Sequence, residues 1–211
     1  MPIVNIKHIN DHVTCGIWKI EENTESLRRE VCLSHTESIE YEKIQNVKRR
    51  KEWLSARNAL MAICHKLKID YKGTYKDDHN KPHLIGVPGY ISLSHSFPYA
   101  TALLNTQDPC GIDIEQAKPA FTHVSQRFLN EEELNRISGD PLYLCSAWAA
   151  KEVLFKIHGR KSLSFKNNLS LSPYKLQHEG QIDGHIKLDM GVKNYLLQYF
   201  QLDGYIVCYS T

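Results

Sequence analysis

The sequence has no long apolar run, no paired cysteines and no marked excess of charge, and each absence removes a class of protein. No stretch approaches the roughly 18 apolar residues that span a bilayer, so no membrane association is expected. The opening MPIVNIKHINDHV lacks a basic segment followed by an apolar one, so it does not read as a secretion signal. Six cysteines (Cys15, Cys32, Cys64, Cys110, Cys145, Cys208) are scattered without a CxxC pair. That is poor material for zinc and reads as reduced, mostly buried thiols in a cytoplasmic protein. A net charge of +2 gives no general attraction for nucleic acid, so any polyanion must be met by local clusters of Lys and Arg. There is no low-complexity segment, no long linker and no visible repeat. What remains is an ordinary folded chain of 211 residues, 42% apolar and 24% charged, long enough for one large domain or two small ones.

Patterning divides it near residue 108. Short strands are expected at IVNIKHI and CGIWKI, and a helix around ESLRREVCL. A long helix is expected over ESIEYEKIQNVKRRKEWLSARNALMAICHKL, with Ile44, Val47, Trp53 or Leu54, Leu60 and Ile63 as its apolar stripe. YKGTYKDDHNKPHLIGVPGY reads as loop, and the strands YISLSHS and YATALLN follow. The second half opens with the strand GIDIE and passes one or two helices in PAFTHVSQRFLNEEELNRI. A strong helix in PLYLCSAWAAKEVLFKIHG, stopped by Gly159, precedes a closing strand meander. The expected class is therefore α+β, with subdomains 1–108 and 109–211, each a small, mostly antiparallel sheet on a long helix.

In GIDIE, alternation puts Asp113 and Glu115 on one face and Ile112 and Ile114 on the other. Two like charges side by side repel unless a cation or proton relieves them. In WAAKEVLFK, Lys151, Glu152 and Lys156 lie among aromatics on a helix that is apolar nearly all round, so it is covered on both faces and its charges need partners. The plain reading is a surface pair of Glu152 with Lys156. Adding Glu152 to Asp113 and Glu115 instead gives three oxygen donors suited to Mg²⁺.

Arg50 and Arg57 lie seven apart on one side of a helix, and Lys81 precedes a proline on a loop. In ISLSHSF, alternation buries Ile91 and Leu93 and exposes Ser92 and Ser94; with no GxSxG elbow, Ser94 and His95 fit an anion contact better than a hydrolase nucleophile. Glu133 sits three after Asn130, the spacing of a helix cap. His79 and His83 have the spacing of a helical metal pair, but Pro82 makes a loop of HNKPH and the zinc reading is set aside.

Taken in order, NKP, SLSHS, GIDIE, RFLNEEE and WAAKEVLFK resemble the 4′-phosphopantetheinyl transferases of the surfactin-synthetase-activating type. The resemblance covers roughly residues 50 to 165. It implies a monomer of two pseudo-symmetric halves with the active site at their interface. The implied enzyme is a holo-[acyl-carrier-protein] synthase. It would transfer the phosphopantetheine arm of coenzyme A to a serine of an acyl or peptidyl carrier protein and release adenosine 3′,5′-bisphosphate. Asp113, Glu115 and Glu152 would hold Mg²⁺ (or Mn²⁺), with Glu152 also the base and Lys156 stabilising pyrophosphate charge. Arg57, Lys81, Ser94, His95 and Lys151 match positions that hold the nucleotide and its phosphates, and Arg50 is a looser match. Glu133 matches an acid with a proposed catalytic role, which competes with the cap. The chain departs from the family at HGRKSLSF, where a Gly-Lys-Gly-Leu turn is usual, and that bears on carrier docking. The alternatives are a Mg²⁺-dependent nuclease or phosphohydrolase, since DIEQAK loosely echoes an acidic-x-acidic-lysine core, and a non-catalytic module that binds carrier domains.

Overall fold

In the computed structural model, residues 3–137, 139–159 and 163–211 are described. The chain divides into two compact units, Met1–Cys110 and Gly111–Thr211. The first contains β1 (Ile3–His8), β2 (Val13–Lys19), α1 (Thr24–Glu30), α2 (His35–Glu42), α3 (Val47–Lys66), β3 (Thr74–Lys76), β4 (Pro82–Leu84), β5 (Tyr90–Ser96) and β6 (Tyr99–Asn105). Its main sheet has the order β1-β2-β6-β5, antiparallel throughout, with β3 and β4 as a separate hairpin. The second contains β7 (Ile112–Gln116), α4 (Ala120–Phe128), α5 (Glu131–Arg136), α6 (Pro141–His158), β8 (Leu169–Leu171), β9 (Glu179–Leu188), β10 (Gly191–Leu202) and β11 (Tyr205–Ser210). Its sheet, β7-β11-β10-β9-β8, is also antiparallel. The class is α+β, as expected.

Each unit packs one long helix on its sheet. In the first, Leu54, Leu60 and Ile63 of α3 meet Trp18, Ile91 and Leu104 from the strands. In the second, Ala150, Val153 and Leu154 of α6 meet Ile182, Ile186, Leu197 and Ile206. The other side of α6 is covered too: Trp148 lies 5.1 Å from Phe128 of α4 and 5.2 Å from Phe165, ring centroid to centroid. That accounts for a helix with so few polar positions. It ends at Gly159, whose φ of 71° is left-handed and suits glycine.

Two local expectations are corrected. The single long helix over 37–67 is two: α2 ends at Glu42, capped by Lys43, and Asn46 starts α3 by accepting a hydrogen bond from the Arg49 amide at 3.0 Å. Apolar periodicity ran across the break, so the cap was the better signal. In consequence Val47, placed on the apolar stripe, is exposed. The loop over 71–90 contains the β3–β4 hairpin, whose turn is held by the Asp77 carboxylate accepting from the amides of His79 and Lys81, both at 2.9 Å. All six cysteines are free thiols and only Cys32 is exposed. Among the described residues no helix is long and apolar enough to cross a membrane.

Candidate active site

β7 lies at the edge of its sheet, paired to β11, with Asp113 opposite Cys208 and Glu115 opposite Ile206. Cys208 and Ile206 belong to the core beneath α6, so both carboxylates share the helix-facing side while Ile112 and Ile114 face away. Gly111 sets the spacing: a Cβ there would lie 2.5 Å from the Val153 carbonyl oxygen, so only glycine lets the strand come this close to α6. Lys156 reaches across from α6. Its Nζ donates to Asp113 Oδ1 at 2.7 Å and to the Ile112 carbonyl at 2.8 Å. To the plain reading, a pair of Glu152 with Lys156, the structure adds this cross-element bridge to Asp113, and Lys156 still favours the charged form of Glu152.

The carboxylates feel one another. Burial first, and then the charge of Asp113, push Glu152 up to about 7, with Lys156 opposing. Glu115 is also raised to about 7, by burial, then Asp113 and Glu152, against Lys156 and Lys118. Two carboxylates whose ionisation is resisted by a third are chemically suited to a hard divalent cation. As they stand, no group of three or more His, Cys, Asp or Glu among the described residues is close enough together to hold a metal ion.

Glu133 and Lys151 are placed elsewhere, and differently from the roles the resemblance implied. Glu133 completes a capping box with Asn130, the amide of each accepted by the other's side chain at 2.9 Å. It also accepts from the Leu171 amide at 2.9 Å and from Lys151 Nζ at 2.6 Å. Lys151 is fully buried, and its ammonium also donates to the carbonyls of Phe128 (2.8 Å), Leu169 (2.8 Å) and Phe165 (3.0 Å). An ammonium has three protons, so these four oxygens use them all. In this structure Lys151 is an interior cation held by protein oxygens, rather than facing a phosphate site as the resemblance implied, and Glu133 is its counter-ion and a helix cap.

Residues 109–209 match the family model of the 4′-phosphopantetheinyl transferase superfamily. The match runs through almost the whole of the second unit, Gly111–Thr211. It is also similar to the 4′-phosphopantetheinyl transferase psf-1 of Bacillus pumilus, 29% identical over 111 residues, which are 50% of this chain and 46% of that protein. The chain thus matches about half the length of that curated relative.

The first unit carries the remaining predicted residues. Arg57 repeats the arrangement of Lys151. It is 5% exposed, its Nε donates to Glu37 Oε1 at 2.7 Å, and its guanidinium lies 3.2 Å from the centroid of Trp53. Glu37 in turn forms a capping box with Ser34 and accepts from the Thr74 amide at 2.9 Å. Burial lowers the Arg57 pKa, opposed by Glu37. The resemblance implied a nucleotide ligand here; in this structure Arg57 is held by protein partners. Arg50 is also turned elsewhere, with Nε donating to the Ile44 carbonyl at 2.6 Å and the guanidinium against Tyr41. Lys81 follows the Asp77 turn, half-buried, its pKa lowered by burial against the pull of Cys110 and Asp77.

Ser94 and His95 lie on opposite sides of β5. Ile91 and Leu93 face the α3 core, Ser92 is buried rather than exposed, and His95 faces α3 with them, which leaves Ser94 on the opposite side of β5. The side chain that joins His95 is Arg49, whose Nη1 lies 2.5 Å from Nε2. The same Nη1 is 3.3 Å from Nδ1, and Glu52 Oε2 lies 3.5 Å from that nitrogen, so the ring is flanked by a cation and a carboxylate. Arg49 escaped the sequence reading because the start of α3 was not seen. With Asn46 as cap, it falls in the first turn, beside the end of β5. The HGRKSLSF departure falls largely on residues 160–162, outside the described residues.

Proposed function

We propose that the protein transfers the 4′-phosphopantetheine arm of coenzyme A to a serine hydroxyl of an acyl or peptidyl carrier protein, releasing adenosine 3′,5′-bisphosphate. The observation that carries this reading is the facing of Asp113 and Glu115 on β7 by Glu152 and Lys156 on α6, with two carboxylates held near neutral pH. A carboxylate titrating near 7 is matched to taking a proton from a hydroxyl in the cell's pH range. In the proposed reaction, Glu152 accepts the serine proton. The serine oxygen forms a bond to the β-phosphorus of the pyrophosphate, and the bond from that phosphorus to the bridging oxygen breaks towards the nucleotide. Lys156 offsets the charge gathering on the leaving oxygen. Mg²⁺ or Mn²⁺, held by Asp113, Glu115 and Glu152, would supply Lewis-acid polarisation of the pyrophosphate. His95 with Arg49, together with Lys81, meets the nucleotide phosphates.

The test is mass spectrometry of an apo carrier protein incubated with the protein, coenzyme A and Mg²⁺. A gain of one phosphopantetheine arm, lost with EDTA, supports the reading. No gain across acyl and peptidyl carriers refutes transfer and leaves a carrier-binding module. Within the proposal, Arg49→Ala raises KM for coenzyme A by about tenfold or more with kcat little changed, since a charge-assisted contact made equally in ground and transition states is lost. Steady-state kinetics at varied coenzyme A separates the two.

A further inference from the structure

The first unit contains an arginine-lined groove of about 500 Å³ between α1 and the junction of α2 with α3. Glu25, Arg28 and Arg29 of α1 form one wall, and Tyr41, Val47 and Arg50 the other. Arg28 lies 5.9 Å from the Tyr41 ring centroid and Arg50 5.1 Å, so two guanidiniums share one ring. Arg50 is fixed by its bond to the Ile44 carbonyl, and the Tyr41 ring is backed by Trp53 at 5.9 Å between centroids. The single carboxylate, Glu25, meets only Arg29 at 3.8 Å, with both side chains more than three-quarters exposed, a pairing worth little in water. Two cations on one ring, with a third lining the same groove, repel unless an anion lies among them.

We infer that this groove binds a phosphate monoester with an aliphatic body. Guanidiniums converging from two walls suit a tetrahedral dianion, which offers three oxygens where a carboxylate offers two. The ring of Tyr41 is already in contact with Arg28, Arg50 and Trp53, so it gives no platform for a stacked base. The Val47 side chain, 62% exposed at the groove wall, supplies an aliphatic contact instead. The groove is separate from the proposed nucleotide contact. Arg49 and Arg50 are neighbours about 100° apart around α3; the first turns to His95 and the second to Tyr41.

The experiment titrates the full chain with n-butyl phosphate, inorganic phosphate and pentanoate, followed by calorimetry and amide chemical shifts. Saturable binding of n-butyl phosphate, tighter than of the other two, with shifts confined to residues 24–30 and 41–50, supports the site. Arg28→Gln, whose guanidinium contacts Tyr41 in the structure, weakens it at least tenfold, and Arg29→Gln, at the exposed rim, weakens it several-fold. Binding persists in His95→Ala, so the result is independent of whether coenzyme A is the substrate. Absence of saturable binding, indifference to both arginine changes, or shifts centred on His95 and Lys81 overturns the inference.

Discussion

Glu152→Gln lowers the rate of phosphopantetheine transfer by about 10²- to 10⁴-fold, the range expected when a general base is removed. The same change stabilises the metal-free protein above neutral pH, which distinguishes loss of chemistry from loss of fold. Glu115 and Glu152 are both raised to about 7 from an ordinary 4.5, so the folded state holds their protons longer than the unfolded chain does. Stability from these groups is complete below about 4.5 and is lost as pH rises through about 7, because the unfolded chain ionises first. Metal-free protein should therefore melt several degrees higher at pH 5 than at pH 8. Glu152→Gln, which cannot ionise, removes much of that difference. Mg²⁺ should raise the melting temperature at pH 8 and much less at pH 5, where protons already relieve the repulsion. A melting temperature independent of both pH and Mg²⁺ would falsify the assignment of these carboxylates to a metal.

The second large effect concerns Lys151 and has nothing to do with catalysis. Lys151→Ala leaves the Glu133 carboxylate, 0% exposed, without its cation and takes from three carbonyls the ammonium that donates to them. Breaking such a pair from one side costs about 3–5 kcal/mol. For a unit of this size that lowers the melting temperature by roughly 10 °C or more. Replacing both partners, as in Lys151→Met with Glu133→Gln, should recover part of the loss, because no lone charge is left behind. If Lys151→Ala melted like wild type yet failed to bind coenzyme A, the phosphate-ligand role would be restored and the structural one lost. Denaturant titration of the two variants decides this.

The acid site was legible in the sequence because strand alternation is a strict rule. Asp113 and Glu115 had to share a face, and an apolar helix carrying Glu152 and Lys156 had to lie over something that could partner them. The bridge from Lys156 to Asp113 was not legible, because it depends on how closely Gly111 lets β7 approach α6. Charge could be read from sequence, but depth could not. Arg57 and Lys151 look like solvent-facing cations beside phosphate-binding motifs, yet both are interior groups whose carboxylate partners lie 18 or more residues away. Arg49 was missed for a local reason, since a continuous apolar period hid the cap at Asn46.

The two buried carboxylates have a kinetic consequence as well. β3 and β8 are only three residues long, and strands that short ordinarily fray. The Thr74 amide is held by Glu37 and the Leu171 amide by Glu133, each carboxylate also gripping the central helix of its unit. Those two amides can exchange with solvent only when a capping box and an interior ion pair open together. Their hydrogen-exchange protection should approach that of α3 and α6 rather than that of the neighbouring loops, making each short strand part of the last region of its unit to unfold.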